Sequence, residues 1–467
     1  MEVRLLSLAV VRGQNKKVDV FDGVKMVNKF FRLAEKQTNI KTEFIAGVTT
    51  FLTMAYIIFV NPAILSTTGM DKQALIAVTC IVSGVSTLAA GIFGQAPIAM
   101  APGMGLNAFF AYTLVLTHKV NWETALGIVF LGGLFFFILT ILGLRKKLVE
   151  AIPAGLISSI AVGIGLFITF IGLVKLGVVV HNEVTLVAAG HLTTTVLIGL
   201  CGLIVMVFLE IRKIKGSLLI GIALSTVLAG LLGYLQKPTQ LASLDINIMA
   251  VAFRLDILAA LKWSLFGSIF SLMFMNMFDS IGTLVACCNE AKMFDKDNKI
   301  KGLDRLLAID ALSTMFGAVL GTSTTTSYIE SAAGIEEGGR SGLTAVITGI
   351  LLLLATLFVP IVGIVPEYAT APALIMVGLF MMKEVRKIDF INMEEAFPSF
   401  IIMVMIALSY SISTGLAFGF LSFTLIKLIA GKAKEVKFTM WLITVLSLLF
   451  LTIDKLANVV EYFKVTN

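Results

Sequence analysis

Two acidic side chains stand in segments that otherwise carry no charge. Glu330 follows a run of hydroxyl residues in "GTSTTTSYIESAAG" (321–334), and Asp279 lies in the middle of "MFMNMFDSIGTL" (273–284). A carboxylate at the centre of a bilayer costs at least about 2.5 kcal/mol, so such acids are usually functional. Carboxylates shielded from water accept hydrogen bonds and can hold a proton. Their chemistry fits a ligand with N–H donors and coupling to protons.

Polar and aromatic residues near the acids extend this chemistry. Asn276 and Thr283 lie three residues before and four residues after Asp279, so all three share one helical face. Donor and acceptor edges with an aromatic face suit a planar heterocycle such as a nucleobase, and they suit an inorganic anion poorly. The aromatic side chains that could stack on a flat ring are Phe109, Phe110, Phe278 and Tyr328.

The segments that must hold these residues are membrane spans. Of the 467 residues, 58% are hydrophobic and only 14% charged, whereas soluble domains average about 25% charged residues. Apolar runs of about 17–25 residues recur along the chain, which predicts an all-α polytopic membrane protein with about fourteen spans and excludes a soluble one. The stretches are 44–60, 74–94, 98–116, 122–143, 153–176, 193–210, 217–235, 257–287, 304–320, 324–337, 343–362, 371–383, 397–412 and 414–430, followed by a partial or interfacial helix at 439–453.

The placement of basic residues predicts the orientation. If residues 1–43 form a cytoplasmic tail and every stretch crosses, the inner loops hold 18 Lys and Arg and the outer loops hold six. This bias follows the positive-inside rule, so the net charge of +7 requires no nucleic-acid partner. The expected location is the cytoplasmic membrane, without a signal peptide. Met26 is a plausible alternative start, in which case residues 1–25 are not part of the protein.

Cysteine and histidine placement indicates no further chemistry. No cofactor, metal site or disulfide framework is expected, because the cysteines lie in apolar or near-apolar segments without metal-ligand spacing. The sequence lacks a zinc HExxH motif and a Ser–His pairing at membrane depth, so an enzyme is not expected. The residues concerned are Cys80, Cys201, Cys287, Cys288 and, in short connecting segments, His118, His181 and His191.

A short similarity predicts that the chain consists of two related halves. "STLAAGIFG" (86–94) resembles "STMFGAVLG" (313–321), and each copy precedes a segment that interrupts the apolar pattern. Interrupted spans at matching positions of two halves point to a transporter binding site. Seven stretches per half is an odd number, so the second repeat, 257–430, must be inverted relative to the first, 44–235. A C-terminal tail, 431–467, follows.

The stretch 321–334 has the composition of a broken span. Non-helical backbone is tolerated at membrane depth only where protein or a water-filled cavity satisfies it. The hydroxyls up to Ser327 can bond stray backbone groups, and the threonines favour a short extended piece. A half-helix starting near Ser327 would place Glu330 in its first turn. The matching polar residue of the first half is Asn107 in "GMGLNAFF", for which a packing hydrogen bond is the alternative role.

Five motifs resemble one family of transporters. The similarity is to the adenine/guanine/hypoxanthine permeases of the AzgA-like branch of the nucleobase–ascorbate transporter superfamily, and it covers most of the chain. It implies fourteen spans in two inverted sevens, with spans 1–4 and 8–11 forming a core and spans 5–7 and 12–14 a gate. The motifs are "TEFIAGVTTFLTMAYIIFVNPAIL" (42–65), "APIAMAPGMGLNAFFAYT" (96–113), "FDSIGTL" (278–284), "GTSTTTSYIESAAGIEEGGRSGLTAV" (321–346) and "PEYATAPALIMVG" (366–378).

The resemblance also implies where the base binds. In this superfamily spans 3 and 10 each begin with a short strand, and the base lies between them, which corresponds to 98–116 and 324–337 here. Asp279 stands at the position of the eighth-span carboxylate, as in the bacterial uracil transporter. Glu330 stands at the position of the tenth-span carboxylate that binds the base. Both acids are therefore expected to bind substrate and to take part in proton coupling.

Further site residues follow from the same resemblance. Tyr328 and Ile329 would offer backbone N–H groups just before the tenth-span acid. Asn107 matches the polar third-span residue of the purine branch, and its neighbours Ala108 and Phe109 are included in the predicted site.

Two positions depart from the family pattern. Thr283, also expected at the substrate, replaces a histidine that is implicated in proton coupling in the uracil transporter, so coupling here would rest on a carboxylate. Asn276 stands where an acid is common in the purine branch, which leaves the number of titrating groups open.

The expected function is import of purine bases (adenine, guanine, hypoxanthine) by proton symport, with core-against-gate alternating access. The expected partners are the base, protons and membrane lipid, and a homodimer is compatible with the family. The alternatives are another nucleobase such as xanthine or uracil, facilitated diffusion, a sulfate-type anion transporter of the same plan, a channel, and an intramembrane enzyme with two acids.

Overall fold

The computed structural model describes residues 25–143, 152–235, 247–293, 300 and 302–465. This part of the chain is mostly helical, and nine of its helices are long and apolar enough to cross a membrane. The predicted helical, polytopic class is confirmed. The predictions for residues 1–24, and for the basic loop at 145–147, lie outside the described residues.

From Ile40 onwards, the described part of the first half contains eight α-helices, a π-helical segment (Phe109–Thr117) and three strands. A chain reversal at 182–186 forms a β-hairpin where the sequence predicted only a connecting loop, and His181 lies in it. The available signal was the pair of β-branched, mostly apolar runs on either side of "HNE" in "VVVHNEVTLVAA". The elements are α1 (Ile40–Met54), α2 (Ile57–Leu65), α3 (Lys72–Ile92), β1 (Met100–Pro102), α4 (Met104–Ala108), α5 (Trp122–Ile141), α6 (Ala154–Leu176), β2 (Val179–Asn182), β3 (Leu186–Ala189), α7 (Thr194–Ile211) and α8 (Ser217–Leu231).

The second half contains ten helices and one strand in its described part. The predicted stretch 257–287 is divided, because the chain turns at Leu261 and Lys262 before the long helix begins. The elements are α9 (Ile257–Ala260), α10 (Phe266–Glu290), α11 (Leu303–Leu320), β4 (Thr325–Ser327), α12 (Ser331–Glu336), α13 (Gly342–Ala355), α14 (Val359–Gly363), α15 (Glu367–Met382), α16 (Met393–Ser409), α17 (Ile412–Ile429) and α18 (Phe438–Val465).

The C-terminal helix α18 is longer than the predicted 439–453. It packs on α17, where the hydroxyls of Thr424 and Thr444 are 2.7 Å apart. Its described apolar part, Phe438–Leu449, is shorter than the roughly 20 residues that a full span needs.

The helices pack in two groups. In the first group α3 packs on α13 and α2, α13 also packs on α1, and α5 packs on α10 and α11. In the second group α6 packs on α15 and α16, and α16 packs on α17. Small residues allow the closest approaches: a Cβ on Gly342 would lie 1.9 Å from the Gly91 carbonyl oxygen of α3. Such contacts between small residues are typical of helix packing in membranes.

Two basic side chains, Lys215 and Arg305, lie at one end of the molecule, which is called the basic end below. Lys215 pairs with Glu336 at 2.7 Å, and Arg305, at the start of α11, donates to the Phe93 carbonyl at 3.3 Å. At the far end of α11, the Phe253 N–H donates to the Val319 carbonyl at 2.7 Å. Because residue 253 precedes α10, this helix runs from the opposite end towards the basic end.

Candidate functional site

Two short strands form the centre of the site. β1 and β4 pair in antiparallel register, with Ala101 opposite Thr326, and both strands are buried. The ladder continues beyond the strands, because the Tyr328 N–H donates to the Ala99 carbonyl at 2.9 Å. The strands that the resemblance implied are therefore present, and each is the partner of the other.

Neighbouring helices satisfy much of the remaining backbone. The hydroxyl of Thr87 on α3 accepts from the Met100 N–H at 2.9 Å, and the hydroxyl of Thr314 on α11 donates to the Thr325 carbonyl at 2.8 Å. The sequence predicted that the hydroxyls up to Ser327 would bond these main-chain groups. The hydroxyls of Thr324 and Thr325 instead have no partner among the described residues. The main-chain groups of the two strands already bond the partner strand or the hydroxyls of Thr87 and Thr314 on neighbouring helices.

Asp279 lies on the exposed face of the second half of α10, and the space between this face and Glu330 is called the cleft below. Its side chain is exposed although the residue lies mid-helix, and it accepts a hydrogen bond from Thr326. Gly282 and Ala286 continue the exposed face, and the space beside Gly282 is open. Thr283 is half-buried beside them. Since α10 ends at the basic end of the molecule, the cleft opens towards that end.

Glu330 lies on the opposite wall of the cleft, between the end of β4 and the start of α12. The half-helix begins at Ser331, four residues later than predicted, because residues 325–327 are extended and Glu330 is the N-cap residue. The Glu330 carboxylate is half-buried and accepts a hydrogen bond from the Tyr56 hydroxyl. Asp279 lies close enough to act on it electrostatically. Ile329 is 50% exposed.

Sequence reasoning missed Tyr56. This tyrosine is buried at the break between α1 and α2, and its hydroxyl reaches Glu330 across the site. The available signal was a polar aromatic residue beside a helix break in an apolar span.

Several predicted site residues are engaged elsewhere. The Tyr328 N–H is used in the ladder, and its hydroxyl donates to the Pro102 carbonyl at 2.5 Å. Ala108, Phe109 and Phe110 are fully buried, and the Phe109 N–H donates within its helix to Gly105. These groups therefore do not face the cleft in this structure, and neither does the buried ring of Phe278.

Asn107 links the two broken spans. Its side-chain oxygen accepts a hydrogen bond from the Ser323 hydroxyl, while its side-chain nitrogen has no partner among the described residues. The residue is fully buried. An unused amide donor next to the strand pair suits either a substrate contact or a bound water.

A third carboxylate, Asp310 on α11, was also missed. The Ser280 hydroxyl donates to Asp310 at 2.6 Å, and the hydroxyls of Ser280 and Thr326 are 3.0 Å apart. Because Thr326 also bonds Asp279, a chain of hydroxyls joins Asp279 to Asp310. The available signal was an acid in the middle of an apolar stretch, as for Asp279.

Residues 41–418 match the model of the Permease family. The adenine permease AdeP of Escherichia coli is 39% identical over 414 residues, covering 88% of this chain and 93% of the relative. The guanine/hypoxanthine permease PbuG of Bacillus subtilis is 40% identical over 440 residues, covering 90% and 98%.

Solved structures show the same fold. The transmembrane domain of the cyanobacterial bicarbonate transporter BicA matches with a TM-score of 0.59 at 16% identity, covering 79% of this chain and 96% of that domain. A likeness at this identity concerns the fold alone. The family match and the relatives place this chain among transporters and not among enzymes. The chain belongs to the Permease family, within the nucleobase–ascorbate transporters.

Proposed function

We propose that this protein imports purine bases across the cytoplasmic membrane by proton symport. The observation that carries the proposal is the pair of carboxylates, Asp279 and Glu330, on the walls of one cleft beside the strand pair. Carboxylates accept hydrogen bonds from the N–H groups of a base, and the amide of Asn107 could donate to a ring nitrogen or carbonyl. The names of relatives AdeP and PbuG support adenine, guanine and hypoxanthine as substrates.

Hydrogen counting supports the proton. The chain from Asp279 through Thr326 and Ser280 to Asp310 makes three hydrogen bonds. Two hydroxyls supply only two hydrogens, so a proton on one of the carboxyl groups would complete all three bonds. The coupling proton would reside there.

Xanthine or uracil as the substrate, and facilitated diffusion, are the competing functions.

Strand geometry supports fourteen spans in two inverted repeats. Elements at matching positions of the halves, β1 and β4, pair antiparallel, as a two-fold axis between them requires. The fourteen would comprise the nine long helices, the two broken spans at 100–117 and 325–336, and α8, α11 and α16. The two packing groups would be the core and the gate, with N-terminal residues 1–43 in the cytoplasm.

Accessibility supports alternating access. The cleft is exposed towards the basic end, whereas α10 is mostly buried from Ser268 to Phe278. With the basic end in the cytoplasm, this is the inward-facing state. Rocking of the gate against the core would close this side and open the other.

The deciding experiment is uptake of radiolabelled hypoxanthine into cells that lack purine permeases, with unlabelled adenine, guanine, xanthine and uracil as competitors. We expect competition by purines and none by uracil. Uptake competed equally by uracil would move the substrate to pyrimidines, and no uptake by protein shown to be in the membrane would refute the proposal.

Proton symport has its own test. We expect a protonophore to abolish accumulation of hypoxanthine above its external concentration, because the proton gradient supplies the energy. Accumulation that is indifferent to the protonophore would contradict symport. Equilibration without accumulation would establish facilitated diffusion.

A further inference from the structure

A second pocket lies near the other end of α10. Its cavity volume is about 150 Å³, and its mouth is open. Residues of α10, α17 and α18 line it together with His118, and neither Asp279 nor Glu330 is among them.

Unused hydroxyls line this pocket. The Ser413 hydroxyl is buried and has no hydrogen-bond partner among the described residues. Serines in helices often bond a carbonyl one turn earlier. Within the described part of the chain, the hydroxyls of Ser268, Ser271 and Ser447 make no hydrogen bond either. The pocket therefore offers several free donors and acceptors to a ligand.

Aromatic rings form the deep end of the pocket. Phe274 of α10 and Phe420 of α17 meet edge to face, with ring centroids 5.6 Å apart, and both are buried. The stacked pair Trp263 and Phe266 stands nearer the start of α10, and Trp263 is largely exposed. Flat rings beside free hydroxyls provide stacking and hydrogen bonding together.

The pocket is aligned with the cleft. Ser268, Ser271, Asp279 and Gly282 fall on one face of α10, because they are spaced by whole helical turns. Ser271 and Asp279 are eight residues, or about 12 Å, apart along the helix. Phe274 contacts Phe278, next to Asp279, with centroids 4.6 Å apart. These rings lie between Ser271 and Asp279 along α10.

We propose that the pocket is a second binding site for the purine base, occupied before the base reaches Asp279 and Glu330. The inference rests on the proposed function. A purine would pair the free hydroxyls and stack on Phe274 or Phe420, whereas a lipid acyl chain would leave the hydroxyls unpaired. Opening of the Phe274–Phe420 contact, as α17 moves away from α10, would pass the base onward.

The test is equilibrium binding of radiolabelled hypoxanthine to the full chain in lipid nanodiscs. We expect the double variant Asp279→Asn/Glu330→Gln to lose the central site and to keep a weaker one. Ser271→Trp, which fills the pocket, should then abolish the remaining binding. Ser268→Ala with Ser413→Ala should raise its Kd roughly tenfold through the lost hydrogen bonds. Ser422→Ala is the matched control, because its hydroxyl, also on α17, bonds the Gly419 carbonyl at 2.9 Å outside the pocket.

The outcomes separate the two proposals. Binding by the wild type with none by the double variant would overturn the second site and leave the proposed function standing. Residual binding that survives Ser271→Trp would overturn it as well. A wild-type protein that neither binds nor transports any purine would overturn both. Quenching of Trp263 fluorescence by hypoxanthine in a Trp122→Phe/Trp441→Phe background provides a readout that does not depend on the central site.

Discussion

Asp279 and Glu330 have different surroundings although both are acids in one cleft. Glu330 accepts a hydrogen bond from Tyr56, which fixes its orientation, while Asp279 is bonded through Thr326 to a second carboxylate. From this asymmetry we propose that Glu330 chiefly binds the base and that Asp279 serves both binding and protons.

We expect Asp279→Asn and Glu330→Gln each to lower hypoxanthine uptake at least about tenfold. A hydrogen bond to a charged group contributes about 1.5–3 kcal/mol, which corresponds to that loss. Initial uptake rates, normalised to protein in the membrane, measure it. Glu290→Gln, an exposed acid at the end of the same helix, is the control. Normal uptake by both site variants would refute the site.

Asp310→Asn tests the hydroxyl chain. The amide donates its own hydrogen to Ser280, so the chain no longer requires a proton. We expect loss of proton-driven accumulation, with exchange of labelled for unlabelled base across the membrane retained. Ser313→Ala, on the same helix with its hydroxyl directed at the Met100 sulfur 3.8 Å away, should behave as wild type. Accumulation by Asp310→Asn that a protonophore still abolishes would exclude this role.

At the residue scale, the sequence predicted the two site acids because they stand in otherwise uncharged segments, but it did not predict their hydrogen-bond partners. Asp279 and Glu330 were recognisable because nothing nearby could neutralise them. Tyr56 and Asp310 also carried a signal, but the contacts that place them at the site join residues that are distant in sequence. Tyr328 and Phe109 were predicted to contact the base because the sequence does not show that their N–H groups bond the strand ladder and the helix.

A helix end explains a buried acid outside the site. Glu43 of α1 is fully buried and accepts hydrogen bonds from the backbone N–H groups of Arg340 at 2.9 Å, Ser341 at 3.1 Å and Thr344 at 3.0 Å. These groups belong to the start of α13. A carboxylate from one helix thus caps another, and it complements the positive end of the helix dipole.

We expect Glu43→Ala to destabilise the protein by about 2 kcal/mol or more, because it leaves several buried N–H groups without an acceptor. Thermal unfolding in detergent, followed by size-exclusion chromatography, measures the effect. Glu43→Gln, which keeps one acceptor oxygen, should be intermediate. Glu35→Ala, an exposed acid nearby, should have no effect. An unchanged melting temperature for Glu43→Ala would contradict the capping role.

At the element scale, most helices were predictable from apolar length, and their boundaries were less so. The divided stretch 257–287 reads as one apolar run because Leu261 and its neighbours do not mark the turn. The strands at 100–102 and 325–327 are too short for any periodicity and were expected only through the family resemblance. Their pairing depends on the tertiary fold.

At the scale of the whole molecule, the proposed inward-facing state predicts that the cleft is accessible from one side of the membrane only. We expect a cysteine at Ile329, introduced into a cysteine-free version, to react with an impermeant thiol reagent faster in inside-out than in right-side-out vesicles. Bound hypoxanthine should slow that reaction by covering the cleft. A cysteine at Val184, which is 90% exposed in the β2–β3 turn at the other end, is the control and should react in right-side-out vesicles. Equal labelling of Ile329→Cys from both sides would contradict a one-sided cleft.

The pairing of β1 with β4 has a consequence for how the chain is made. While the ribosome has delivered only the first half, Met100–Pro102 is extended backbone inside the bilayer without its partner strand. Thr87 can bond Met100 from within the first half, but the main-chain groups that pair with β4 remain unsatisfied until Thr325 has been synthesised, more than 200 residues later. The nascent first half must therefore be sheltered by the insertion machinery or by water, and a chain that stops before β4 should be degraded. Co-expressing the two halves as separate polypeptides should rescue each from proteolysis.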